Sequence, residues 1–279
     1  MNRRKFIYNS AGILAIPLLT GVYSWQMEPF WLEFVHKKMD IKNLPSKLQG
    51  KTLMQISDMH VGDRFPREYL MKSLEKAKVH EPDIVVYTGD YITYDSDEQF
   101  NQLEEVVKHT LKGKMGTFGI FGNHDYGENW SNAEVAHTIN GILERAGIQV
   151  LRNEYVEVEE LGIIGIDDFW GTNYNPTEVL RKVKNENGKI ILCHNPDVAD
   201  EAIWENINGW ILSGHTHGGQ VDPPFLEPPM LPVKNKNYSA GEIELNPNLS
   251  MYINRALGHL WQVRFNVRPE ITIFTLNKK

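Results

Sequence analysis

Cysteine is almost missing from this chain. Cys193 is the only one in 279 residues, which excludes an intramolecular disulfide and a cysteine-built zinc site. Positive charge is also in short supply. The chain carries 29 Lys and Arg against 36 Asp and Glu, a net charge of -7, so it lacks the cationic excess that binding a nucleic-acid polymer demands. No internal repeat or low-complexity linker divides it. No uninterrupted apolar run reaches the roughly 20 residues of a spanning helix; the longest candidate, residues 11–25, is broken by Pro17. What remains is ordinary globular material, 41% hydrophobic and 23% charged, long enough to bury a sizeable core.

The N-terminus, "MNRRKFIYNSAGILAIPLLTGVYSW", stands apart. Arg3, Arg4 and Lys5 precede the short apolar stretch, and "NRRKFI" resembles a twin-arginine export signal. Residues 1–26 are expected to act as that signal, cleaved near Ser24 or kept as a membrane anchor. Residues 27–279 would then form one domain outside the cytoplasmic membrane, delivered by the twin-arginine machinery. Lipoprotein processing is excluded, because no cysteine lies nearby.

Strand-like and helix-like pieces alternate from Leu53 to Leu212. Strands are expected at "TLMQIS" (52–57), "DIVVYTGD" (83–90), "TFGIFGNHD" (117–125), "LGIIGIDD" (161–168), "KIILCHNPD" (189–197) and "GWILSGH" (209–215). Helical spacing marks 67–81, 98–113, 132–147, 176–186 and 197–206, with Leu70, Leu74 and Ala77 on one face of the first. The last forty residues read as strands. The pattern predicts a layered α/β domain, two sheets packed on each other between helices. "DPPFLEPPMLP" (222–232) reads as an irregular loop, either a surface excursion or a wall over the glycine turns.

Strand after strand ends in side chains that bind metals. "SDMH" supplies Asp58 and His60, "TGD" Asp90, "GNHD" Asn123, His124 and Asp125, "CHNPD" His194, and "GHTHGG" His215 and His217. Ligands of α/β sheets gather at the carboxyl ends of strands, so these residues should converge. In an extended chain Asp58 and His60 point to one side, as do His215 and His217, whereas Asn123 and His124 point apart. Gly214, Gly218 and Gly219 are expected to let the backbone approach ions without a Cβ in the way. Each element alone is weak, since a lone His or Asp at a strand end is more often a structural residue or turn former. Packing does not require five such endings in one order.

The ordered set "SDMHVG", "YTGDYI", "GNHDYG", "CHNPD" and "SGHTHGGQV" resembles the calcineurin-like metallophosphoesterases. "GHTHGGQ", "NRALG" and the final "RPEITIFTL", behind an export signal, are most similar to the exported bacterial phosphodiesterases of the YkuE/YaeI type. The resemblance covers residues 45 to 277 and implies a four-layer α-β-β-α sandwich of two mixed sheets flanked by helices, with the site at the strand carboxyl edge. It implies two divalent cations, one held by Asp58, His60 and His217 and one by Asn123, His194 and His215, with Asp90 between them. This nitrogen and oxygen donor set suits Mn, Fe or Zn. The implied chemistry is phosphoester hydrolysis by a hydroxide shared between the metals, with His124 serving the leaving oxygen and Asp125 orienting His124.

The expected substrate is a phosphodiester of the cell envelope, lipid- or nucleotide-linked, UDP-sugar lipid pyrophosphates included. Phe169, Trp170, Tyr174 and Phe225 are candidates for an apolar pocket lining. A basic residue for a terminal monoester is not evident; Arg64 and Arg255 are the nearest. Two alternatives are a phosphomonoesterase, including a protein phosphatase, and a non-catalytic metal-binding envelope protein.

Overall fold

The computed structural model describes residues 16–183, 186–205 and 207–279. The basic cluster and the first apolar residues of the N-terminal segment lie outside them. Two six-stranded sheets form the centre of the molecule. We number the strands β1 (Glu33–Ile41), β2 (Thr52–Ile56), β3 (Ile84–Thr88), β4 (Gly116–Ile120), β5 (Gln149–Val150), β6 (Glu154–Val158), β7 (Leu161–Gly165), β8 (Lys189–Leu192), β9 (Gly209–Ser213), β10 (Gly241–Asn246), β11 (Leu249–Ile253) and β12 (Glu270–Lys278). The first sheet runs β1-β12-β2-β3-β4-β5 and the second β10-β11-β9-β8-β7-β6. Both are mixed. β2 to β5 are parallel, but β12 runs antiparallel to β2; β7, β8, β9 and β11 are parallel, with antiparallel β6 and β10 at the edges.

Two-residue alternation explains why the central strands read as continuous apolar runs. In β3, Val85 and Tyr87 enter the cluster under the helices, while Ile84 and Val86 enter the cluster between the sheets. In β8, Ile190 and Leu192 face the first sheet, and Ile191 faces outward with Cys193. Cys193 is thus a buried packing residue, its thiol pushed well up by burial.

Helices α1 (Arg67–Ala77), α2 (Glu98–Val107) and α3 (Ala133–Arg145) cover the first sheet. Leu70, Leu74 and Ala77 of α1 are buried, as the spacing predicts. The second sheet has a thinner cover, α4 (Pro176–Lys182) and a 3-10 turn at Pro196–Asp200. The expected layers are therefore present.

Three helices are shorter than their sequence patterns. The pattern over 98–113 stops as α2 at Val107, because the Thr110 hydroxyl bonds the Val107 carbonyl at 2.6 Å and the Leu111 amide turns inward to the Tyr87 hydroxyl at 3.2 Å. The helix expected over 197–206 is only the 3-10 turn. There Asp197 accepts amides of Lys234 and Asn235, and Trp204 Nε1 bonds the Val198 carbonyl, so tertiary contacts replace the helical ladder. The pattern over 176–186 leaves the helix at Val183.

Candidate metal centre

The carboxyl ends of β2, β3, β4, β8 and β9 meet at one edge. Backbone and side-chain bonds join the two sheets there: Gln55 Nε2 donates to the Ser213 carbonyl at 2.9 Å, and the His215 amide donates to Asp58 Oδ1 at 3.0 Å. The turns after β2 and β3 continue side by side. The His60 amide bonds the Asp90 carbonyl, the Val61 amide that of Tyr91, and the Thr93 amide that of Val61. His60 and Asp90 are thereby fixed as neighbours.

The chain at these ends is not extended. Asp58, His60, Asp90, His215 and His217 all have left-handed backbones, with φ of 53°, 46°, 52°, 71° and 52°. Asp and His enter this region more readily than most residues, and such conformations concentrate at functional sites. The parity expectation thus fails in its premise. The residues converge because left-handed turns fold the chain back. His215 and His217 do not act together: one joins Asp90 and His194, the other Asp58 and His60.

Three groups of side chains can each hold a metal ion: Asp58, His60 and His217; His60, Asp90 and His124; Asp90, His194 and His215. Asp90 belongs to two of them. His60 Nε2 and His194 Nε2 lie 3.5 and 3.0 Å from Asp90 Oδ2, and His217 Nε2 lies 3.2 Å from Asp58 Oδ1. The opposite ring nitrogens are already engaged. His60 Nδ1 meets Thr93 Oγ1 at 2.9 Å, His194 Nδ1 the Thr88 carbonyl at 2.7 Å, and His215 Nε2 the Pro232 carbonyl at 2.9 Å. These bonds turn Nε2 of His60 and of His194 toward the carboxylates, with His60 Nε2 also 3.0 Å from His217 Nε2, the outer-shell arrangement of metal-binding histidines. Asn123 Oδ1 and His217 Nδ1 are buried without a hydrogen-bond partner. Such atoms are costly unless something binds them, and divalent cations fit this donor set.

The electrostatics are strongly coupled. Burial favours a neutral Asp58, but His194 and His217 outweigh it and hold the carboxyl down at about 2. Burial also disfavours charge on His194, yet Asp90 and Asp58 push its pKa well above the ordinary value. Burial and the His194 charge pull His215 down to about 3.

His124 is half-buried beside the same space. Its amide donates to Asp90 Oδ1 at 3.0 Å, and its ring stands edge-on to His60 at 5.1 Å. Asp125 does not orient it. The Asp125 carboxylate accepts the amides of Asp90, Gly122 and Tyr91 at 2.9, 2.9 and 2.8 Å, and no hydrogen bond to the His124 ring occurs among the described residues. Asp125 instead ties the turn after β4 to the turn after β3.

Several site residues are not picked out by the metal-ligand pattern, even where they stand beside a ligand. Ser57 donates to Asp58 and accepts from Thr88, which receives Gln55, so a buried polar chain runs from the core to the carboxylate. Asp168, buried near His194, is pushed up to about 6 by burial. Such positions are found only once the turns are folded. The glycines also differ from expectation. A Cβ on Gly214 would strike Ser57 and Asp58, whereas Gly218 and Gly219 face Val267 and Pro228. The last two are needed for their positive φ of 61° and 74°.

Above the histidines lies a cavity of about 720 Å³. Trp130 and Trp170 form one wall, stacked at 4.9 Å, with Trp170 edge-on to His215 at 4.5 Å. The proline loop forms another through Pro229, Met230, Leu231 and Pro232, and Leu260, Trp261 and Val263 close the third. Of the aromatic candidates only Trp170 lines the cavity. Phe169 and Tyr174 pack on the outer face of the second sheet, and Phe225 points into solvent. No Lys or Arg lines it among the described residues. Arg64 pairs with Asp95, and Arg255 with Glu270 and Glu33.

Two six-stranded sheets between helices, with a histidine and aspartate cluster at the strand ends, define an α/β protein with side chains grouped to hold metal ions. The chain belongs to the calcineurin-like phosphoesterase family, whose model matches residues 51–219. It is 31% identical to the metallophosphoesterase YkuE of Bacillus subtilis, over 99% of this chain and 98% of that one. It is 28% identical to phosphodiesterase YaeI of Escherichia coli, over 99% of each. It is 26% identical to the UDP-2,3-diacylglucosamine pyrophosphatase LpxG of Chlamydia trachomatis, over 94% of each.

Proposed function

We propose that this metallophosphoesterase is a phosphodiesterase with two divalent cations, acting on lipid- or nucleotide-linked phosphoesters of the cell envelope. The observation that carries it is the position of Asp90, which groups with His60 and His124 on one side and with His194 and His215 on the other, while His60 groups in turn with Asp58 and His217. Asp58, His60 and His217 would hold the first ion and Asn123, His194 and His215 the second, with Asp90 contributing to both. These are imidazole, carboxylate and amide donors, suited to Mn, Fe or Zn. Such a pair lowers the pKa of bound water and neutralises phosphoryl charge.

The chain's own residues supply the rest. His124, at the cavity side of the cluster, donates a proton to the departing oxygen. Its amide bond to Asp90 keeps it in register with the ligands. The stacked tryptophans and the Pro229–Pro232 wall exclude water and accept an apolar leaving portion.

A diester is favoured over a terminal monoester because no cation among the described lining residues stands ready for a second phosphate charge. The names of YaeI and LpxG, a phosphodiesterase and a lipid-sugar nucleotide pyrophosphatase, point the same way. Bis-p-nitrophenyl phosphate should be hydrolysed faster than p-nitrophenyl phosphate with added Mn. Turnover of neither would sink the enzymatic reading, and faster monoester turnover would sink the diester preference.

Residues 1–26 serve export and attachment in this reading. Among the described residues no helix is long and apolar enough to cross a membrane. The Ser24 carbonyl accepts the Arg264 amide at 2.9 Å and the Trp25 carbonyl accepts Gln262 Nε2 at 2.9 Å. These contacts favour retention of the segment over cleavage at Ser24. N-terminal sequencing of the exported protein decides it.

A further inference from the structure

The loops that wall the cavity carry side chains that a water-soluble surface has no reason to expose. Phe225 and Leu226, at the tip of the proline loop, are 105% and 71% exposed. Met230 and Trp261, which line the cavity itself, are 55% and 54% exposed. These elements are one structure. Gln220 Nε2 holds the carbonyls of Trp261 and Val263, each at 2.9 Å, and the Asp222 amide bonds the Phe265 carbonyl at 2.9 Å.

The 261–264 loop is in turn built rigidly. The buried Arg264 guanidinium donates to the carbonyls of Arg255, Ala256, Gly258 and Val267. Through Gln262 and Arg264 the same loop binds the carbonyls of Trp25 and Ser24. The helix ahead of these exposes Ile16, Leu18 and Leu19, each by about two thirds of its surface, and Trp25 by 55%. Residues 1–15 carry Arg3, Arg4 and Lys5 and no acid.

We infer that the mouth of the cavity is a membrane-docking face: Phe225 and Leu226 enter the acyl region of a bilayer, and Trp25 and Trp261 sit at its interface. Three features select a bilayer over a protein partner. The apolar face joins directly to an exposed apolar segment whose outlying residues are basic, as in interfacial anchors. Exposed tryptophans concentrate on it, the residues enriched where membrane meets water. Its centre is not a closed patch but the opening of an apolar cavity, so docking places the cavity against lipid. An amphiphile could then reach the site by sliding its headgroup inward while its chains stay in an apolar medium. This last step rests on the phosphodiesterase reading above; the docking does not.

The test uses the full chain. Cys193 is buried and is the only cysteine, so Leu226→Cys can be labelled selectively with an environment-sensitive fluorophore. Phosphatidylcholine vesicles remove the contribution of the basic N-terminus. On binding, the label should shift to the blue and be quenched by bromines placed in the acyl chains. The same label at Val79→Cys, exposed at the opposite sheet edge, should not respond. The pair Phe225→Ser and Leu226→Ser should lower vesicle partitioning by roughly tenfold or more. Bis-p-nitrophenyl phosphate turnover should stay at the parent rate, since neither residue lines the cavity. The proposal is overturned if the label at 226 stays in water while the protein is vesicle-bound, or if the protein does not bind vesicles. It is equally overturned if sedimentation shows a dimer that buries the label. Loss of turnover in the parent protein would strike the phosphodiesterase reading instead.

Discussion

Replacing Gly214 by alanine should disable the centre without touching a ligand. Gly214 lies between β9 and His215, and its backbone is not left-handed, so the effect is purely steric. An added Cβ would sit 2.0 Å from Ser57 Oγ and 2.2 Å from Asp58 Oδ2, where ordinary contact begins at 3.4 Å. The carboxylate oxygen must retreat by about 1.2 Å, and it has nowhere easy to go. It is fully buried and held by the His215 amide and the Ser57 hydroxyl. A displacement of about 1 Å at a reacting centre can cost roughly 100-fold in rate, and overpacking a tight core costs about 1–3 kcal/mol. Gly214→Ala should therefore lower kcat on bis-p-nitrophenyl phosphate about 100-fold. Elemental analysis should show loss of the ion that Asp58 helps to hold, and urea unfolding a destabilisation of the stated size. Gly241→Ala is the control, for that glycine is left-handed at 82° with open space around its Cβ position; it should lose stability and keep kcat. A Gly214→Ala enzyme with parent rate and metal content would refute the steric reasoning.

Three further outcomes are expected. His124→Ala should retain bound metal and lose about 100- to 10,000-fold in kcat, while Asp90→Asn should lose metal and activity together; elemental analysis beside the rate separates them, and a His124→Ala protein emptied of metal would overturn the assigned role. Metal binding should expel the proton that Asp58 and Asp90 keep on His194. Its pKa is raised, so below that value affinity should climb with pH, by about tenfold per unit for each proton released, and calorimetry in buffers of different ionisation enthalpy would count the protons. Arg264→Met should cost about 3 kcal/mol or more, since it removes the guanidinium donor from the carbonyls of Arg255, Gly258 and Val267; unchanged urea unfolding would contradict this.

The sequence displays the chemistry of the site more plainly than its geometry. Asp58, His60, Asp90, His194 and His217 are visible because each ends an apolar run, and parallel strands carry such ends to one edge. How they converge is hidden, since the left-handed conformations at Asp58, His60, Asp90, His215 and His217 belong to turns held against one another by contacts distant in the chain. The same holds for Thr93 and the Pro232 carbonyl, whose bonds to His60 and His215 join segments far apart in the chain. Asp125 follows His124 directly, yet its carboxylate serves backbone amides across the sheet. β1 carries Lys37, Lys38 and Asp40 in a half-exposed pattern, weak as a strand signal and settled by its long parallel register with β12. The helix expected after Asn195 gave way to bonds from the proline loop, which local propensity does not encode.

The placement of β12 has a consequence for the order of events in the cell. Glu270–Lys278 is the last strand in the chain and lies in the interior of the first sheet, between β1 and β2. Until it has emerged, β1 has no partner and the flank of β2 is bare, so the turn bearing Asp58 and His60 has only half its support. The centre can therefore take shape only once residues 270–278 are available to the sheet. A secretion route that threads nascent chain through a pore would separate the two halves of the sheet in time and space. A route that carries folded cargo would avoid that separation.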